Sequence, residues 1–117
     1  MLNSKKFDLE QLIDAVGDGE DLQKMLGIFT ESTPNILKGL NDSFISNDLD
    51  GVAENAHKLK ATIDMLKITE LQEIIRKMDR LSLVRENSQI LPHMINKTND
   101  VMRQVLSEIQ LTYSLEN

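Results

Sequence analysis

The chain has 117 residues, 40% hydrophobic and 27% charged, with a net charge of −6 and no cysteine. That length fits one core and a single domain over residues 1–117. The missing cysteines exclude disulfides and thiolate zinc sites, and an acidic chain lacks the basic field that nucleic-acid binding normally needs.

No apolar run reaches the roughly 18 residues of a membrane span, and the opening MLNSKKFDLEQL carries acids too early for a secretory signal. A soluble cytoplasmic protein without membrane partners is therefore expected. Aromatic residues are few (Phe7, Phe29, Phe44 and Tyr113) and only Pro34 and Pro92 interrupt the chain. An aliphatic core of helices follows more naturally than a turn-rich β fold.

Asp8, with Gln11 three residues on, reads as a capping box for a short first helix with Leu9, Leu12, Ile13 and Val16 on one face and Gly17 at its end. GDGED then opens a second helix with acids in its first turn. Its apolar residues are Leu22, Met25, Leu26 and Phe29, then Leu37, Leu40 and Phe44, with Pro34 between the two sets. Pro34 either interrupts one helix or opens another; the nearly unbroken apolar phase favours one long, bent helix. After the polar break SNDLDG, with Asn47 or Asp48 as cap, a third helix is expected from about 48 to 66. Thr69 and Gln72 form a second capping box before a fourth helix with the stripe Leu71, Ile74, Ile75, Met78 and Leu81. RENS is a polar turn, and a last helix carries Leu91, Ile95, Met102, Val105 and Ile109. The fold class expected is all-α: an antiparallel four-helix bundle with a short extra N-terminal helix.

In the third helix, Leu49, Val52, Ala56, Leu59, Ile63 and Leu66 are spaced 3, 4, 3, 4, 3 and define its core seam. His57 lies about 130° from the middle of that seam and faces outward. Its helical neighbours are Ala53, Glu54, Lys60 and Ala61, with Asp64 one turn further. Two alanines leave the imidazole projecting from a low surface beside the ammonium of Lys60. A neutral imidazole, available above about pH 6.5, is a good nucleophile, and attack on a phosphoryl group builds negative charge that an adjacent cation stabilises.

The stretch AHKLKATIDML, Ala56 to Leu66, resembles the signature of histidine-containing phosphotransfer (HPt) domains, usually H-x-L-K-G-S followed about a turn later by L-G. On that resemblance His57 is the phosphoacceptor, Leu59 the core leucine, Lys60 the family-type lysine and Thr62 the hydroxyl position. A proline-containing helix before the histidine helix, and LQEIIRKMD after it with its terminal acid, are similar to the family's layout over roughly residues 8 to 82. Two positions depart from the pattern: Ala61 and Lys67 stand where glycine is usual. The resemblance implies a carrier, not a kinase, that moves phosphoryl groups between receiver-domain aspartates. It needs no cofactor or metal of its own, and a monomer is expected.

Other residues carry less. Asp64 either orients the His57 ring or is a solvated acid, and Lys58 faces solvent. His93, after Pro92, has no comparable neighbours, and the methionines fall largely on apolar stripes as core filler. Ile28 lies off its helix's stripe, as a docking contact or a packing contact with the first helix. No glycine-rich phosphate loop is present. The rival reading is a helical adaptor that binds a receiver or another signalling partner without phosphorylation; an enzyme using His57 as a general base lacks a visible second catalytic group.

Overall fold

The computed structural model describes residues 6–113, and in them every regular element is helical. The elements are α1 (Glu10–Val16), α2 (Glu20–Ile45), α3 (Leu49–Met65), α4 (Thr69–Asp79), α5 (Leu81–Glu86) and α6 (Leu91–Tyr113). Helix α3 packs against both α2 and α4, while α6 lies on α2 and α4. The core is almost wholly aliphatic, as the scarcity of aromatic residues requires.

Asp8 works at the start of α1, but one position away from the expected capping box. Its Oδ1 accepts the Glu10 N–H at 2.8 Å, and the helix begins at Glu10. Gly17, at φ 83°, ends it in a conformation that suits a residue without Cβ. Helix α2 then runs unbroken through Pro34, as the continuous apolar phase implies. Leu22, Leu26, Thr30, Thr33, Leu37 and Leu40 form its buried face. Pro34 is exposed at the flank of that face, where it lines a shallow cleft with Asn41 and Asn99. Its ring removes the bond to the Thr30 carbonyl, a cost of about 3 kcal/mol in an isolated helix. The buried leucines on both sides offset that cost, at about 1.5–3 kcal/mol each.

The connections on both sides of α3 are fixed by backbone bonds, which close the C-termini of α2 and α3. Beyond α2, Asn47 takes φ 59°, with Asn47 N–H bonded to the Phe44 carbonyl and Asp48 N–H to the Ser43 carbonyl. Beyond α3, Lys67 takes φ 48°, with Lys67 N–H bonded to the Asp64 carbonyl and Ile68 N–H to the Ile63 carbonyl. These are Schellman closures with a left-handed residue just past the C-cap, two places beyond the last helical residue. Asp48 also caps α3 by accepting the Gly51 N–H at 3.0 Å. Where α2 and α3 meet, Gly39 lies against Asn55, and a Cβ on Gly39 would fall 2.6 Å from Asn55 Oδ1. Gly51 faces Ser43 in the same way, so residue numbers rise along one helix as they fall along the other.

Two boundaries differ from the expectation. Thr69 does not cap α4: it is the first helical residue, and the preceding position belongs to Ile68, fully buried and already engaged in closing α3. The stripe expected to run on to Leu81 breaks at Arg80, whose extended backbone (φ −104°, ψ 116°) starts the short helix α5. The polar turn shifts accordingly to residues 87–90. Between α2 and α6, Asn41 and Asn99 exchange two partly buried amide hydrogen bonds, 3.0 and 2.8 Å.

Candidate functional site

The core seam is buried from its second member on: Val52, Ala56, Leu59, Ile63 and Leu66 are all fully enclosed, while Leu49, at the start of α3, is partly buried against the core. Burying that stripe sets the rotation of the helix and turns His57 outward, with 74% of its side chain exposed. Ala61 is exposed next to it and Lys60 is half-buried. Ala53 is buried, so the surface beside the imidazole is low on that flank.

The ring does not stand alone. Its Nδ1 lies 2.7 Å from Oδ1 of Asp79, the last residue of α4. A carboxylate can only accept, so the Nδ1–H donates and the neutral ring keeps its lone pair on Nε2. Nε2 has no hydrogen-bond partner among the described residues. The other carboxylate oxygen, Oδ2, lies 3.6 Å from Lys60 Nζ. Asp79 therefore joins the two residues that the α3 sequence singles out, and at 17% side-chain exposure it is the most enclosed of the three.

Asp64 does not orient His57. Its Oδ1 is buried and makes no hydrogen bond, and the carboxylate facing the ring comes from a different helix. Lys58 is solvent-facing, within 3.9 Å of Glu54 on the same helix. His93 is exposed in the first turn of α6, and Ile28 is 57% exposed on α2. Lys67 departs from glycine in identity while keeping a backbone conformation that glycine favours. The turn after α3 thus forms without the usual residue.

Asp79 is the site residue that the sequence reading leaves without a role, although LQEIIRKMD ends on it. It lies 22 positions from His57, outside the reach of any single-helix pattern. One signal was present: an acid in the last turn of a helix opposes the helix dipole, so its placement there needs cations nearby. Lys60 on α3 supplies one directly. Together with Arg76, Lys77 and Arg80, Lys60 and Asp79 line a shallow cleft of about 330 Å³ on the α4–α5 side.

An exposed imidazole with Nδ1 tied to a carboxylate and Nε2 free presents a nucleophile of fixed tautomer. No group of three or more metal-ligating side chains occurs among the described residues, and no helix there is long and apolar enough to cross a membrane. In comparison with known proteins, a family model described as Hpt domain matches residues 24–111. No curated protein and no solved structure matches the chain.

Proposed function

Since the chain belongs to the Hpt domain family, whose members carry phosphoryl groups on histidine and interact with receiver domains in phosphorelays, we propose that it accepts a phosphoryl group on His57 from one receiver-domain aspartate and passes it to another. The observation that carries this assignment is the His57–Asp79 pair: an exposed ring whose Nδ1–H is held at 2.7 Å and whose Nε2 is unengaged.

Nε2 attacks phosphorus, the N–P bond forms, and the P–O bond to the donor aspartate breaks with its electron pair returning to that carboxylate. The ring keeps its Nδ1 proton and becomes cationic, and Asp79 lies where that charge develops. Lys60 stabilises the phosphoryl oxygens, moving from Asp79 Oδ2 toward them. Delivery to the second receiver is the same sequence in reverse. Asp79 is a positioning residue here; His57 and Lys60 touch the transferred group. The chain acts as a carrier without kinase activity, as a cytoplasmic monomer and a single domain. Its four longer helices, α2, α3, α4 and α6, are arranged as an antiparallel bundle, with α1 and α5 as additions. The three-residue connections on either side of α3 support that arrangement.

The non-phosphorylated adaptor draws its support from Ala61 and Lys67. Lys67 holds the same closing turn in the left-handed conformation, and the Ala61 methyl is exposed beside an open ring, so neither removes the nucleophile. The test is transfer of labelled phosphoryl from a phosphorylated receiver, giving acid-labile label on the chain and none on His57→Gln. Label that persists in the variant, or no transfer from any receiver tried, would refute the assignment.

A further inference from the structure

The chain carries −6 overall, yet residues 57–85 contain seven Lys and Arg against four Asp and Glu, a net of +3, leaving −9 on the rest. Part of that positive charge is already matched: Lys60 faces Asp79, Lys58 faces Glu54 and Lys77 faces Glu73. Arg76 and Arg80 form no ion pair or side-chain hydrogen bond among the described residues. Both are exposed, four positions apart, and both line the cleft that includes Lys60 and Asp79. The extended backbone at Arg80 interrupts the helix and places this guanidinium at the α4–α5 junction.

Resting on the phosphotransfer reading, we infer that Arg76 and Arg80 form a docking flank for the carboxylate-rich rim around the phosphorylated aspartate of a receiver domain, beside the chemistry and outside it. Charge complementarity selects this occupant. An acidic chain repels an acidic partner at long range unless a local positive field orients the encounter. The unmatched guanidiniums line the cleft that holds Lys60 and Asp79, the two residues paired around His57, and a guanidinium offers paired donors suited to carboxylate. Neither arginine touches His57, so they act on association and not on the reactivity of Nε2.

The test uses the full chain and two donors: a phosphorylated receiver domain that labels the wild-type protein, and phosphoramidate, a small donor with no docking surface. In Arg76→Glu/Arg80→Glu, kcat/KM for transfer from the receiver falls about tenfold or more at low salt, and its dependence on ionic strength flattens. Arg76→Gln/Arg80→Gln gives a smaller loss. Labelling by phosphoramidate stays within twofold of wild type in both variants, which also reports an intact fold and site. Receiver transfer unchanged in the charge-reversed variant overturns the inference and leaves the phosphotransfer reading standing. Equal loss with both donors also overturns it, since the arginines would then support the site itself. So does binding of a DNA duplex that the double variant abolishes while receiver transfer is kept. Failure of every receiver to label the wild-type chain refutes the phosphotransfer reading, and this inference falls with it.

Discussion

Replacing Asp79 by alanine removes the partner of His57 Nδ1, and the contact of Lys60 Nζ, while leaving the sequence of α3 unchanged. The 2.7 Å separation is that of a charge-assisted hydrogen bond, and bonds to charged groups contribute about 1.5–3 kcal/mol. The ring is 74% exposed and the carboxylate 17%, so solvent screening reduces the figure to about 1–2 kcal/mol. The bond strengthens as the ring becomes cationic in phosphoryl transfer, so this amount appears in the barrier, as a rate lower by about fivefold to thirtyfold. Asp79→Asn keeps an acceptor oxygen but not the charge, and falls between wild type and Asp79→Ala. Single-turnover transfer from a labelled receiver measures the rates. Nitrogen-15 NMR of the imidazole supplies a readout that a merely structural role would not move: the Nδ1–H tautomer dominates in wild type and gives way to a mixture in Asp79→Ala. An Asp79→Ala protein that transfers within twofold of wild type, with its tautomer unchanged, would refute this account of the site.

Three further outcomes are expected. Lys60→Ala slows phosphoryl transfer by about twofold to fivefold, the range for a half-exposed cation, and Lys60→Arg restores part of the loss in the same assay. Lys67→Gly relieves the side chain held at φ 48°; a left-handed residue costs about 1–2 kcal/mol and glycine's greater freedom in the unfolded chain returns part of it, leaving a gain of about 0.5–1 kcal/mol, read as a melting temperature higher by about 2–5 °C. Asn99→Ala breaks both amide bonds to Asn41 and lowers stability by about 1–2 kcal/mol, seen as a lower urea midpoint with an unchanged slope; a cycle with Asn41→Ala shows the two losses to be strongly non-additive.

The exposure of His57 was legible because it depends only on helix period: burying Val52, Ala56, Leu59 and Ile63 leaves the ring one direction to point. The continuity of α2 was legible for the same reason, since Leu37 resumes the phase set by Leu22 and Leu26 and a solvent-facing proline does not disturb it. The break at Arg80 was not. Leu81 continues the apolar stripe of α4 in sequence, and neither glycine nor proline marks the place where the chain turns. The role of Thr69 was misread because a capping box is a local pattern, whereas Ile68 is held by core burial and by its bond back to Ile63. The pairings of His57 with Asp79 and of Asn41 with Asn99 join residues 22 and 58 positions apart. Such pairs arise from how helices dock, which no single stretch encodes.

The closures around α3 give the molecule an uneven mechanical character. At Asn47 and at Lys67 the chain reverses within three residues, and backbone hydrogen bonds occupy the linker amides on both sides. There is no slack through which α3 could slide along its axis or turn about it, so the helix behaves as a fixed strut with His57 at a set height. Adjustment between the phosphorus and Nε2 then falls to the incoming partner and to the long side chain of Lys60. The turn at 87–90, between α5 and α6, has backbone bonds of its own, from Asn87 N–H to the Leu83 carbonyl and from Ile90 N–H to the Asn87 carbonyl. No left-handed residue closes it, however, it does not flank α3, and residues 88–90 are exposed. It is the place where an inserted segment or a reporter group can be accommodated while the reactive helix stays in place.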